Sequence, residues 1–308
     1  MRYTTYGRTG LTVSRLSMGC NRLGDPGVDP AQWPPIVQKA LDLGITFFDS
    51  SENYNEGRSE AILGEVTSKS SVPVVIATKG GFSAGRDIVR NFSAEGIDAA
   101  ARGSRDRLKR ESIELYMLHS PSVAQLENDT WPKAVETLKA DGVIQFFGIS
   151  TSNHESGIKA IELGADFLQI EYDLLDPSAE DALLPLAIEK NIGIMIRTPL
   201  ARGLLSGKFK ASEGIPAEQQ WRRPTGDRLQ LRLQRIEQLR FLERDGQNMA
   251  QAALRWLLAQ PGVHCVIPGA RTLDQLEANV GAIDDELTDA ELARVKELHA
   301  EWRAEGRW

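Results

Sequence analysis

Residues 43–65 read LGITFFDSSENYNEGRSEAILGE. Within it, 45–49 (ITFFD) is a β-branched and aromatic run of strand length. A polar turn follows, and then 58–69, where apolar residues return at helical spacing. The same strand-then-helix unit recurs along the chain. After a short N-terminal hairpin, strands are predicted at 14–19, 45–49, 74–79 (VVIATK), 113–118 (IELYML), 144–149 (IQFFGI), 167–171 (FLQIE), 192–197 (IGIMIR) and 263–267 (VHCVI). Helices are predicted at 31–43, 58–69, 93–109, 131–140, 155–163, 178–190, 247–259 and 272–282, with a further amphipathic one at 288–304. Strands that alternate with helices call for βαβ units and a parallel sheet. Several of these strands are apolar throughout, as when both faces are covered. Strand ends at 49, 79, 119 and 149 lie 30, 40 and 30 residues apart, the length of one βα unit. Eight units predict an α/β fold, a (β/α)8 TIM barrel with an N-terminal β-hairpin and an extra C-terminal helix, as one domain over 1–308.

Composition narrows the function classes. The 308 residues carry 43 acidic and 36 basic side chains, net −7, and 41 % are hydrophobic. An acidic balance lacks the basic footprint of nucleic-acid binding. Cys20 and Cys265 are the only cysteines, too few for a disulfide framework. The N-terminus, MRYTTYGRTG, has no apolar core of a signal peptide, and no apolar run reaches the roughly 18–20 residues of a membrane span. The expected setting is cytoplasmic, with no nucleic-acid or membrane partner; oligomeric state is not legible. His154, His264 and His299 are scattered, and no H-E-x-x-H or Cys/His ligand spacing is present, so no metal is expected. GLLSGKF (203–209) is one residue short of a P-loop and ends in Phe209 where Ser or Thr is required.

In a barrel of this kind reactive groups stand at the C-terminal ends of the strands. Those positions carry Asp49, Lys79, His119, Ser150, Gln169 with Glu171, and Arg197. Asp49, Lys79 and His119 would converge at the mouth with Tyr54, five residues beyond Asp49. A free phenol, with a pKa of about 10, is a poor acid near neutrality. An adjacent ammonium stabilises the phenolate, which Lys79 can supply while Asp49 holds Lys79 charged. His119 can donate a hydrogen bond to a carbonyl oxygen. Such a set can protonate an alkoxide formed from a carbonyl, but the hydride must come from a cofactor.

The chain resembles the aldo-keto reductase family. The resemblance lies in LGITFFDSSENYNEGRSEAILGE, VVIATKGG, IELYMLHSP, IQFFGIS, FLQIEYDLLD, TPLARGLLSGKF and VIPGARTLDQLEANV, which keep family order from GRTGLTVSRLSMG to residue 281. It implies a catalytic tetrad of Asp49, Tyr54, Lys79 and His119. It also implies NADPH extended over the barrel mouth without a Rossmann domain, and a small carbonyl substrate. Ser150 and Gln169 match the family's nicotinamide-carboxamide contacts. The usual Asn after the serine is missing, and Asn153 is its nearest substitute. Pro199 to Lys208, including Leu200, Arg202 and Gly203, matches the pyrophosphate loop. Gly269, Arg271, Gln275 and Asn279 match the adenosine end, with Arg271 the candidate for the 2′-phosphate. Ala278 replaces a frequent Glu, and Gly269 a frequent Lys.

Arg197 departs from an aromatic residue that often stacks on the nicotinamide. A guanidinium can stack too, but its charge would disfavour the cationic oxidised ring; alternatively Arg197 pairs with Glu171. Phe82 and Trp221 are candidate pocket residues, and Arg222 and Arg223 could attract an anionic substrate. Trp302 and Trp308 lie in a tail that, in many relatives, folds over the pocket. The Gly-, Pro- and charge-rich 206–226 reads as a mobile loop on the active face. The resemblance implies NADPH-dependent reduction of an aldehyde or ketone. Its alternative is a cofactor-loaded regulatory subunit of the same fold with little turnover. A metal-dependent isomerase or lyase on the same barrel is opposed by Lys79 in the pocket and by the missing ligand spacing.

Overall fold

The computed structural model describes residues 1–82, 89–127, 130–209, 215, 223–270, 272–283 and 285–306. Strands β1 (Tyr3–Thr5) and β2 (Thr12–Ser14) form the antiparallel N-terminal hairpin, Tyr3 facing Ser14. Eight parallel strands follow: β3 (Met18–Gly19), β4 (Phe47–Asp49), β5 (Val75–Gly80), β6 (Ile113–His119), β7 (Ile144–Thr151), β8 (Phe167–Glu171), β9 (Gly193–Arg197) and β10 (Cys265–Val266). Each pairs with the next in sequence order. The two ends of the sheet meet through parallel bridges Leu16↔Val266 and Gly19↔Gly269, with Ser17 N–H donating to Val266 O at 2.9 Å. The barrel is therefore closed, and its strands leave no long open edge.

Helices fill the crossovers: α1 (Trp33–Asp42), α2 (Arg58–Thr67), α3 (Ala94–Leu108), α4 (Val123–Leu126), α5 (Thr130–Ala140), α6 (His154–Glu162), α7 (Leu183–Glu189), α8 (Gly226–Gln238), α9 (Met249–Ala259), α10 (Leu273–Gly281) and α11 (Asp289–Ala304). None of the described helices is long and apolar enough to cross a membrane. Local chemistry sets several boundaries. Asn248 with Gln251, and Thr288 with Glu291, form capping boxes that start α9 and α11. Lys109 and the glycines after other helices end them in the left-handed region.

The period of two along each strand divides the side chains between two cores. Even positions of β6, such as Tyr116 and Leu118, pack outward under the helices. From Leu115 on, its odd positions point into the lumen, where Phe47, Val75, Ala77, Leu115, Met117, Phe167, Met195 and Cys265 stack with Tyr6. Tyr6 comes from the hairpin and closes the N-terminal end, its ring edge-on to Phe47 at 5.5 Å and to His264 at 5.6 Å. The hairpin is seated by close backbone contact. Gly7 has φ +52°, and a Cβ there would lie 2.3 Å from the backbone N of Gly193.

Three sequence expectations are corrected. The first and last barrel strands, expected at 14–19 and 263–267, are only two residues long because pairing at the seam is reduced to single bridges. The helix expected over 178–190 is a 3-10 turn (Ser178–Glu180) and then α7, broken where Ala182 turns to φ −147°. Helix α8 was not anticipated. Trp302 does not reach the mouth: it is 1 % exposed, donates Nε1–H to Gln238 at 2.8 Å and packs beside Arg235 and His299. Trp221, Arg222, Trp308 and most of 206–222 lie outside the described residues.

The close approach at Gly7 yields a direct expectation. Gly7→Ala forces a side chain against Gly193 in an unfavourable backbone region, and should cost about 2 kcal/mol or more. The urea midpoint should fall clearly below that of the parent; an unchanged midpoint would contradict this account of the hairpin seat.

Candidate active site

Alternation along the strands places Asp49, Lys79, His119, Ser150, Gln169 and Arg197 in lumen-facing positions at the C-terminal end of the barrel. Register ties them together: His119 lies opposite Ser150, and Ser150 opposite Gln169. Lys79 is fully buried. Its Nζ donates to Asp49 Oδ1 and to Ser50 O, both at 2.7 Å, and to the Tyr54 phenol oxygen at 3.4 Å. Burial pulls the Lys79 ammonium down, but Asp49 and the Tyr54 oxygen outweigh it and leave the pKa above the ordinary lysine value. Asp49 thus favours the charged form of Lys79 beside the phenol.

Asp49 accepts a second hydrogen bond on the same oxygen, from Gln169 Nε2 at 2.7 Å. A carboxylate only accepts, so this contact fixes which end of the Gln169 amide faces it. The Gln169 carbonyl then accepts from Ser150 Oγ at 2.7 Å, and Ser150 Oγ accepts from Arg197 Nη1 at 3.2 Å. The result is one polarised chain from Arg197 to Asp49, with Lys79 entering from the other side. The Arg197 guanidinium approaches Glu171 only at 3.9 Å, because Glu171 is engaged by Arg202 at 2.9 Å.

His119 ends β6 with its ring edge-on to Tyr54 and Phe82, at centroid separations of 6.1 and 4.7 Å. Burial, then Lys79, Arg197 and Arg90, push its pKa well below the usual imidazole value. The ring is neutral near pH 7 and carries one proton. Ser51 Oγ lies 3.1 Å from its Nδ1. That contact and Glu52 were missed in the sequence. Glu52 Oε1 accepts the backbone N–H groups of Gly81 at 2.9 Å and Phe82 at 3.2 Å, which holds Phe82 beside His119. Burial raises Glu52 to about 7, against the stabilising pull of those two N–H groups. The only advance signal was the polar run SSEN before Tyr54.

A cleft of about 270 Å³ opens beside Tyr54, lined among others by Asp49, Gln169, Arg197 and Thr198, with Gly19, Gly203 and Gly269 on its walls. Pro199, Leu200 and Arg202 also line it. A second, more polar cleft of about 420 Å³ shares Thr198 and Arg202 with it and includes His154. The remaining expected cofactor residues scatter. Asn153 is exposed and caps α6 by accepting from Ser156 N at 2.9 Å. Lys208 and Gln275 are exposed, whereas Asn279 is buried and donates to Gly269 O at 3.3 Å. Arg271 lies outside the described residues. Six non-glycine residues with positive φ, Asn55, Glu56, Ser120, Thr198, Ala201 and Arg202, sit in loops after barrel strands. Such strain concentrates at functional loops. No cluster of His, Cys, Asp and Glu suited to a metal ion occurs among the described residues.

The low His119 pKa can be measured. In an NMR titration the ring should stay neutral through the ordinary imidazole range and protonate only well below it. A midpoint at or above the model-peptide value would contradict this electrostatic reading.

Comparison with known proteins supplies the lineage. Residues 15–300 match the family model described as "Aldo/keto reductase family". The chain is 32 % identical to an uncharacterized oxidoreductase, YrpG, of Bacillus subtilis, over 96 % of this chain and 94 % of that protein. It is 26 % identical to the NADH-specific methylglyoxal reductase of Escherichia coli, covering 97 % and 98 % of the two chains. Among solved structures, it superposes on the holo form of aldo-keto reductase AKR11C1 from Bacillus halodurans with a TM-score of 0.82. That match has 29 % identity and covers 97 % of this chain and 96 % of the other. A closed eight-stranded barrel, polar groups converging at its C-terminal mouth and a family match over most of its length together make this chain a member of the aldo/keto reductase family, an NAD(P)H-dependent oxidoreductase.

Proposed function

We propose that the chain reduces an aldehyde or ketone to an alcohol with NADPH, and that Tyr54 gives the proton. The observation that carries this reading is the Lys79 ammonium, 3.4 Å from the Tyr54 oxygen and locked by Asp49. A cation there favours negative charge on the phenol oxygen, so the proton leaves at a small energetic cost. His119, neutral and beside Tyr54, donates a hydrogen bond to the carbonyl oxygen and orients it. After the reaction, solvent at the mouth restores the Tyr54 proton. The bound nicotinamide supplies the hydride, which no side chain can.

The residues at the cleft suit a nicotinamide. Gln169 lines the cleft with an amide, complementary to a carboxamide, and Ser150 stands behind it, donating to the Gln169 carbonyl at 2.7 Å. Gly269 bears no side chain, and a Cβ built there would meet nothing within 4 Å, which leaves room for a ligand close to the backbone. Gly203, at φ +89°, keeps the 199–208 loop turned beside the cleft. In this reading Pro199, Leu200, Arg202, Gly203 and Lys208 hold the pyrophosphate, and Gly269, Arg271, Gln275 and Asn279 hold the adenosine end. Asn153 serves the carboxamide only if its cap on α6 is released. The preference for NADPH rests on Arg271, since a guanidinium forks onto a phosphate; a relative named as NADH-specific makes this the point to measure. We read 1–308 as one catalytic unit acting in the cytoplasm on a small carbonyl compound.

Two experiments test this. Tyr54→Phe should lower kcat by about 100-fold or more, as expected for loss of a general acid, while the NADPH Kd stays within a few-fold; near-parental turnover contradicts the mechanism. Arg197 disfavours a cationic oxidised ring in this reading, so Arg197→Tyr should tighten NADP+ relative to NADPH. Titration of each cofactor by fluorescence gives the ratio, and an unchanged ratio sinks the role assigned to Arg197.

A further inference from the structure

We propose that the carbonyl compound carries an anionic group, a carboxylate or phosphate a few bonds from the carbonyl, and that Arg90 receives it. This rests on the carbonyl-reductase reading above and names the substrate class for the same site.

The molecule is acidic, net −7, yet its mouth beside His119 is cationic. The charged groups bearing on the imidazole are Lys79, Arg197 and Arg90. Lys79 is matched by Asp49 at 2.7 Å. Glu171, the carboxylate nearest Arg197, is taken by Arg202. Glu52 directs an oxygen to the backbone of Gly81 and Phe82. No carboxylate among the described residues pairs with Arg90, whose guanidinium instead lies over the Phe82 ring, 5.1 Å from its centroid.

That position is held by backbone contacts. Phe82 and Arg90 form an antiparallel bridge, and Asn91 N–H donates to Gly81 O at 3.0 Å, so Arg90 is tied back to the end of β5. Phe82 in turn meets His119 at 4.7 Å. The two ring contacts in series keep the guanidinium within about 10 Å of the imidazole. A carbonyl oxygen at His119 and an anion at Arg90 are thus spanned by a short molecule.

The cofactor does not account for this cation. In the closed barrel β5 and β9 are four strands apart in an eight-strand ring, so they face each other across the mouth. The loop assigned to the pyrophosphate follows β9, and Arg90 follows β5. Arg90 is exposed, so its effect on a ligand is screened and modest, about two- to fivefold. Such a charge gives discrimination between partners more than bulk affinity.

The test compares kcat/KM for matched pairs: 4-carboxybenzaldehyde against its methyl ester, and glyceraldehyde 3-phosphate against glyceraldehyde. The parent enzyme should favour the anionic member of at least one pair by about two- to fivefold. Which pair responds tells carboxylate from phosphate. The ratio should shrink as ionic strength rises, drop toward one in Arg90→Gln, and invert in Arg90→Glu. Equal kcat/KM within both pairs, or a preference that survives both substitutions, overturns the assignment to Arg90 while leaving carbonyl reduction intact. Turnover of no compound at all overturns the carbonyl-reductase reading and this inference with it.

Discussion

A lysine side chain sits with no access to water at the top of an apolar lumen, and the rest of the site is organised around making that tolerable. Taking an ammonium out of water costs several kcal/mol even after relaxation, and removal of a buried partner typically costs about 3–5 kcal/mol. Asp49 and the Ser50 carbonyl meet that cost directly. Asp49 also takes the Gln169 amide, which takes Ser150, which takes Arg197. Charges from two strands on one side of the barrel and a guanidinium from the other are therefore coupled through one carboxylate. The same ammonium that needs Asp49 for its own burial is what bears on the Tyr54 oxygen. Stability and chemistry draw here on one ion pair.

The barrel was largely legible because two periodicities are written plainly in the sequence. Apolar strand runs at intervals of about one βα unit announce the sheet, and the parity of Asp49, Lys79, His119, Ser150, Gln169 and Arg197 within their strands puts them on one surface. Helix α8 escaped notice for a definite reason. Its buried Leu229, Leu233 and Ile236 keep helical spacing, but Leu231 and four Gln or Arg residues among them blur the pattern, and the preceding segment is rich in turn formers. The strands at the seam were read too long because apolar character reports burial, not how many ladder bonds a residue makes.

Within the site the boundary of legibility falls where strands end. Residues on β4 to β9 follow from alternation. Tyr54 lies in a loop and was placed by resemblance to a family. Ser51, Glu52 and Arg90 depend on how two loops fold back on β5, through backbone contacts that no spacing rule encodes. The charge at Arg90 was visible as a letter, but its place beside Phe82 and His119 was not. The expected role of Trp302 failed for a related reason: α11 carries it into the outer core, where it meets Gln238 and Arg235.

The stopper formed by Tyr6 and its hairpin turns the lumen into a blind well. Solvent, protons and small molecules reach Tyr54 and the cleft beside it from the mouth. The rim loops therefore govern entry, while the packed N-terminal floor carries none of it. Exchanging the rim loops would retarget the enzyme while leaving this foundation in place.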